Sequence, residues 1–176
     1  MRRVVLHVLN SIKGDIKMKR MGLMLAGFGL LAAALMAQMT GDRGQTSLDL
    51  SGGKVSVEYG RPALAGRDVK SMLQPGMEWR MGSNAATTLD TNIDLKFGNK
   101  TVAKGKYVLR ARFVEEGKWL LLVTEDAKLV AEVPLAIGSN ASPVENLTIK
   151  LEKQGTGGIL TVSWGTLNVA ATFQKA

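Results

Sequence analysis

The chain contains no cysteine, and its single histidine, His7, stands near the amino terminus. Without cysteine a domain cannot be cross-linked by disulfides, and it cannot carry the acylated cysteine of a bacterial lipoprotein. Beyond residue 37 there is neither Cys nor His. That removes Ser-His-Asp and Cys-His nucleophilic machinery and conventional zinc sites from the mature chain. No acid spacing of a calcium loop occurs either, so no metal and no cofactor is expected. Aromatic residues are scarce, with only three tryptophans, and no helical periodicity persists beyond about one turn. The stability of such a domain has to come from an aliphatic core.

The amino-terminal end is of a different character. Lys13, Lys17, Lys19 and Arg20 precede an apolar run over 21–37 that closes on small residues. A basic segment, an apolar segment and a small residue at the break predict a secretory signal peptide over 1–37, cut after Ala37, with Ala34 as the alternative site. Met18 offers an alternative start, since Lys19 and Arg20 already supply the basic segment. A membrane anchor is the competing reading, but the run is at the short edge of a bilayer span and rich in Gly and Ala. The expected location is therefore periplasmic or secreted, with no membrane span after cleavage. Six of the 23 Lys and Arg and one of the 15 Asp and Glu precede Gln38, leaving 17 against 14 and a net charge of +3. This is no nucleic-acid footprint.

Residues 38–45 are polar and Gly-bearing and read as a flexible arm. From 46 to 174 the apolar period is two almost throughout. Strands are expected over 47–50, 54–59, 77–81, 88–97, 106–113, 119–124, 128–137, 147–152, 159–164 and 167–173, with a very short one near 100–103. A helical turn is expected within 68–73. Gly52-Gly53, Glu116-Gly117, 155–158 and Gly165-Thr166 serve as turns, and Gly60-Arg61-Pro62 ends a strand because Pro cannot donate to a ladder. Together these predict an all-β fold, an antiparallel β-sandwich of nine or ten short strands in one domain, with a closed barrel as the alternative.

The stretches 57–62 (VEYGRP), 79–88 (WRMGSNAATT), 104–109 (KGKYVL) and 160–165 (LTVSWG) carry the most specific pattern. In them the chain resembles a family of secreted bacterial proteins, domain of unknown function 2911, across roughly residues 46–174. The resemblance implies an exported β-rich domain and no particular activity. Two features depart from the family pattern: Ala85 stands where an acid commonly follows the Asn, and residues 125–127 replace a longer segment.

Strand parity sorts the candidate site residues. Trp79 shares a face with Met77 and Met81, and Tyr59 with Val55 and Val57, so both aromatics are expected in the core. Glu58, Glu78 and Arg80 then point the other way. Arg61, Arg67 and Asn84 lie in loops that could converge there, with Thr87 and Thr88 beside them. One reading is a structural ion-pair network, with Asn84 capping its own turn. The other is a polar patch whose guanidinium forks and amide bind an anion or a sugar. The expected function is thus a non-catalytic envelope binding or interaction module, its partner a small anion, a sugar or an envelope component. The alternatives are a purely structural sandwich and a carboxylate hydrolase using Glu58 with Glu78, or Asp68 with Asp90. G-T-G-G over 155–158 lacks the helix and Lys of a phosphate loop. The sequons at Asn140 and Asn146 are chance matches.

Overall fold

The computed structural model describes residues 42–176; the expected signal peptide and residues 38–41 of the arm lie outside the described residues. Ten strands appear in order: β1 Arg43–Leu50, β2 Gly53–Gly60, β3 Glu78–Trp79, β4 Thr87–Thr91, β5 Leu95–Phe97, β6 Lys100–Val102, β7 Gly105–Glu115, β8 Lys118–Glu125, β9 Lys128–Gln154 and β10 Gly157–Lys175. A short 3₁₀ turn, Lys70–Met72, falls inside the predicted helical window. All pairings are antiparallel, in the spatial order β1-β2-β4-β7-β8-β9-β10-β5-β6, with β3 beside β7. The path ends on β1 at one side and β6 at the other and does not close, so the fold is the all-β sandwich and not the barrel.

The alternation of apolar residues explains the core. On β2, Val55, Val57 and Tyr59 are buried; on β4 and β7, Leu89, Tyr107, Leu109 and Ala111; on β8, Trp119, Leu121 and Val123. Facing them are Leu147, Ile149 and Leu151 of β9, Leu160, Val162, Trp164, Val169 and Phe173 of β10, and Leu95 and Phe97 of β5. All belong to one cluster. A fully buried Val or Leu contributes about 1.5–3 kcal/mol, so a cluster of this extent can hold the domain without cross-links.

Five departures from the expected boundaries stand out. The flexible arm over 38–45 is not an arm at its end: β1 starts at Arg43 and pairs with β2 in unbroken register from Arg43↔Gly60 to Leu50↔Gly53. Gly44 permits this, since any Cβ there would collide with the Tyr59 ring. The hairpin turns through Ser51 and Gly52, both at positive φ, as a two-residue loop requires. The single strand expected over 88–97 is broken. Thr91 Oγ1 donates to the Ile93 carbonyl (2.7 Å) and Asn92 Oδ1 accepts from the Lys54 N–H (2.7 Å). These bonds turn the chain, so that β4 pairs with β2 and β7 while β5 pairs with β10 and β6.

The strand expected over 77–81 shortens to two residues because Met81 takes a left-handed φ of 55°. Conversely, strands expected separately over 128–137 and 147–152 run together as β9. Its first part, up to Leu135, pairs with β8, and the remainder from Ala136 pairs with β10. The pairs expected over 159–164 and 167–173 likewise fuse into β10, with register shifts around Gly165, whose φ is 56°.

Candidate functional site

Of the residues nominated from sequence, Glu58 and Thr88 line one cleft of about 330 Å³ together with Asp90 and Lys106, and the others lie outside it. Arg61 Nη1 pairs with Asp42 at 3.3 Å, and its backbone N–H donates to the Asp42 carbonyl. Arg67 curls onto its own loop, donating to the carbonyls of Leu64 and Ala63, with its guanidinium carbon 5.3 Å from the Trp164 ring centroid. Glu58 on β2 lies 3.7 Å from Arg43. Glu78 on β3 holds Arg112 at 2.9 Å and Arg110 at 3.7 Å, and Arg112 also binds Glu132 at 3.0 Å. The hydrogen bond to Glu78 is the main reason that the Arg112 pKa is raised. Arg80 is exposed and makes no ion pair among the described residues. The cluster expected around it is absent because each nominated acid has a nearer arginine across its own ladder.

The Asn and Thr of the nominated set have local duties. Asn84 occupies an exposed turn at φ 61°, a conformation that Asn tolerates better than most residues. Thr87 is buried and its Oγ1 donates to the Met81 carbonyl at 2.9 Å, tying the 81–87 loop shut. Thr88 sits in the β4 ladder between Glu58 and Val108. Of the acids proposed for hydrolysis, Glu58 and Glu78 are ion-paired, Asp90 pairs with Lys106 at 3.3 Å, and Asp68 Oδ1 accepts from the Lys70 N–H at 3.0 Å. Glu58 and Asp90 line one cleft, each held in an ion pair; neither expected pairing, Glu58 with Glu78 or Asp68 with Asp90, shares one.

What the fold does bring together is every tryptophan of the chain. Trp79 from β3 stacks on Trp164 from β10, centroids 6.0 Å apart and planes within 9°, and meets Trp119 from β8 edge-on at 6.4 Å. Phe113 leans on Trp119 at 5.2 Å. Parity had assigned Trp79 wholly to the core with Met81; Met81 is fully buried, but Trp79 is only half-buried at the edge of the cluster. The reason is that β3 lies at an edge of its sheet, pairing β7 alone.

Residues 61–77 form a strap over this aromatic cluster. At one end Leu64 and Ala65 donate to the Glu145 carbonyl and side chain, and the Leu147 N–H donates to the Pro62 carbonyl. At the other, Gly76 donates to the Phe113 carbonyl and the Phe113 N–H donates to the Met77 carbonyl. Val69 plugs the middle of the strap into the core.

Beneath and beside the strap lie two adjoining spaces with Leu73 and Trp119 in both walls. The larger cleft, about 730 Å³, has Phe113, Ile137 and Leu167 as apolar lining and Asn140, Asn168, Ser139 and Thr166 as polar lining. Lys70 and Glu116 supply one charge of each sign. The second space, about 270 Å³ and likewise open to solvent, is walled by Trp79, Trp119, Trp164, Val69, Met72, Leu73 and Met77. Met72 and Ile137, at the rims, are exposed to 38% and 48%. Asn140, whose sequon reads as chance, ties two strands together. Its amide donates to the carbonyls of Gly165 and Leu167, each at 3.0 Å, and its oxygen accepts from Asn168 at 2.8 Å.

Compared with protein-family models, residues 42–173 match the family described as a protein of unknown function (DUF2911). The chain belongs to that family. No curated protein and no solved structure matches it. The match spans β1 to β10 and therefore includes all three tryptophans and both walls of the cleft. Sequence reasoning on this DUF2911 chain missed the cleft, although a signal was present. Two of the three tryptophans, Trp79 and Trp164, stand in the most specific motifs, and the third heads the most continuously apolar strand.

Proposed function

We propose that this DUF2911 chain is an exported envelope domain that binds a neutral saccharide, without catalysis, in the tryptophan-lined cleft under the 61–77 strap. The observation carrying the proposal is the convergence of Trp79, Trp119 and Trp164 beside a rim of amides and hydroxyls. Ligand sites are mostly apolar concavities with a few placed polar groups; the half-buried Trp79 indole, backed by the buried Trp119 and Trp164, suits the apolar face of a sugar ring while the rim suits its hydroxyls. The cleft favours a neutral ligand over an anion, because Lys70 and Glu116 offset each other and Arg61, Arg67, Arg110 and Arg112 are already engaged. Glu116 is the only carboxylate in its lining among the described residues, and glycoside hydrolysis by the usual route needs two. Export is supported by the basic and apolar segments before Ala37.

Tryptophan emission and thermal midpoint, measured on the chain from Gln38 against a panel of neutral oligosaccharides, test the binding. One class should shift the emission and raise the midpoint, by about 2.7 kcal/mol of stabilisation at 100 times its Kd. A flat response across the panel would sink the saccharide reading. Fractionation with amino-terminal sequencing tests export: the expected product lies outside the cytoplasm and begins at Gln38, and a cytoplasmic chain retaining residues 1–37 would refute it.

A further inference from the structure

The strap is fastened at its two ends and nearly unfastened between them. Residues 61–65 are stapled to β9, and residues 76–77 to β7. Between those staples every hydrogen bond is local. The N–H groups of Arg67, Met72 and Leu73 donate to the carbonyls of Leu64, Val69 and Lys70. The Lys70 N–H donates to Asp68 Oδ1, and the Ser71 hydroxyl donates to the Asp68 carbonyl. Among the described residues, no hydrogen bond or ion pair joins 66–75 to a residue outside 63–77.

Side chains hold this segment down at few points. Of its ten residues only Val69 is buried, at 4% exposure, and Leu73 is half-buried; the other eight are exposed. Arg67 adds its contact with the Trp164 ring. A stretch with local hydrogen bonds and few buried apolar contacts opens at lower free energy than the domain around it. The backbone is also jointed at both ends. Ala65 and Gly66 have φ of 49° and 72°, and Gly76 has φ of 82°. A Cβ at either glycine would meet nothing within 4 Å, so the chain can rotate there unobstructed.

What the segment covers gives the motion a consequence. It supplies Lys70 and Leu73 to the larger cleft and Val69, Met72 and Leu73 to the smaller space. Trp79, Trp119 and Trp164 belong to strands that stay in place. Because Leu73 stands in both walls, lifting it joins the two spaces over one tryptophan floor. With the segment down that floor shows little indole, since Trp119 and Trp164 are 3% and 5% exposed.

We infer that residues 67–75 are a flap that swings as one unit about 65–66 and 76, and that its opening admits a neutral saccharide to the tryptophan floor. The inference governs access to the site proposed above and rests on the saccharide reading for what enters. The opening itself is measured without a sugar.

Beyond residue 37 the chain has no cysteine, so a single introduced thiol is a clean reporter. The test uses the chain from Gln38, which keeps every described residue. Val69→Cys places a thiol under the flap, and Val57→Cys places one in the fully buried core of β2. With iodoacetamide and no denaturant, the Val69→Cys thiol should alkylate about a hundredfold faster or more. Equal rates would mean that 67–75 opens only when the whole domain unfolds, and would overturn the flap. Hydrogen exchange on the unsubstituted chain serves if either variant does not fold. The amides of Arg67, Met72 and Leu73 should share one protection, about a hundredfold or more below that of Leu64, Leu147 and Phe113. Protection as high as theirs would overturn the flap equally. A fast Val69→Cys thiol in a protein that binds no neutral oligosaccharide would keep the flap and remove the saccharide reading; a slow one in a protein that binds would do the reverse.

Discussion

Two regions of this sandwich invite comparison. One is the corner where 57–62 meets 79–88, the most conspicuous stretch of the sequence; the other is the cleft, whose walls are drawn from residues 69 to 168. The corner is all close packing. Gly60 lies directly on the Ser83 backbone, so that no side chain fits there, and Gly82 packs back against Gly60. Met81 is fully buried in a left-handed conformation, which costs a non-glycine residue on the order of 1–3 kcal/mol, and the Thr87 hydroxyl helps hold it there. The cleft is the reverse. It keeps exposed apolar rims at Met72 and Ile137 and an unpaired indole N–H at Trp164, features that detract from the stability of the free domain. A motif dense in Gly, Arg and Asn can thus be a joint, while the proposed site falls where stability is least well served.

That contrast can be broken by mutation, and the largest effect is expected in the corner. Met81→Ala should cost about 2–5 kcal/mol in chemical unfolding, as for other fully buried large side chains. Saccharide affinity of the folded fraction should be unchanged. A loss below about 1 kcal/mol would mean that the corner is not a structural joint. Gly60→Ala comes next, at about 1–3 kcal/mol, because Ser83 backbone must move to admit the methyl group. A fully stable Gly60→Ala protein would show that the close approach is not maintained in solution.

In the cleft the ranking should invert. Met72→Ser removes an exposed apolar rim of the strap, so stability should change by no more than about 0.5 kcal/mol, as for most surface substitutions. Affinity for the bound sugar should nevertheless fall several-fold. Were stability to fall while affinity held, the strap would be a piece of scaffold and the cleft would lose its standing as a site. The smallest effect is expected at Arg80. Being exposed and without an ion pair among the described residues, Arg80→Ala should leave both midpoint and affinity within error. A weakened ligand would return Arg80 to the site and argue for the polar patch expected from sequence.

The fold class was legible because a period of two holds over most of 43–175. Leu89, Thr91, Leu95 and Phe97 all bury the same face even though the chain changes partners at Asn92. Parity correctly sent Tyr59 and Met81 inward and Glu58, Glu78 and Arg80 outward. It could not say which arginine each acid would meet. Arg112 reaches Glu78 from β7, thirty-four positions away in the chain, because β3 and β7 are paired in register. Trp79 was misjudged in degree for a similar reason: alternation reports the face of a strand, not whether that strand lies at the edge of its sheet.

By itself, then, the sequence determined the composition of the core, the all-β class, the family resemblance and the exclusion of His- and Cys-based chemistry after residue 37. These depend on residue type and on the spacing of near neighbours, which the chain carries locally. Tertiary structure alone decided that Trp79, Trp119 and Trp164 share one wall, that the 61–77 strap is stapled at Glu145 and Phe113, and that a donor at Trp164 is left unmatched. Contacts between residues 36 to 85 positions apart depend on strand order and register, and strand order is selected by the free energy of the whole packed core rather than by any one stretch of it.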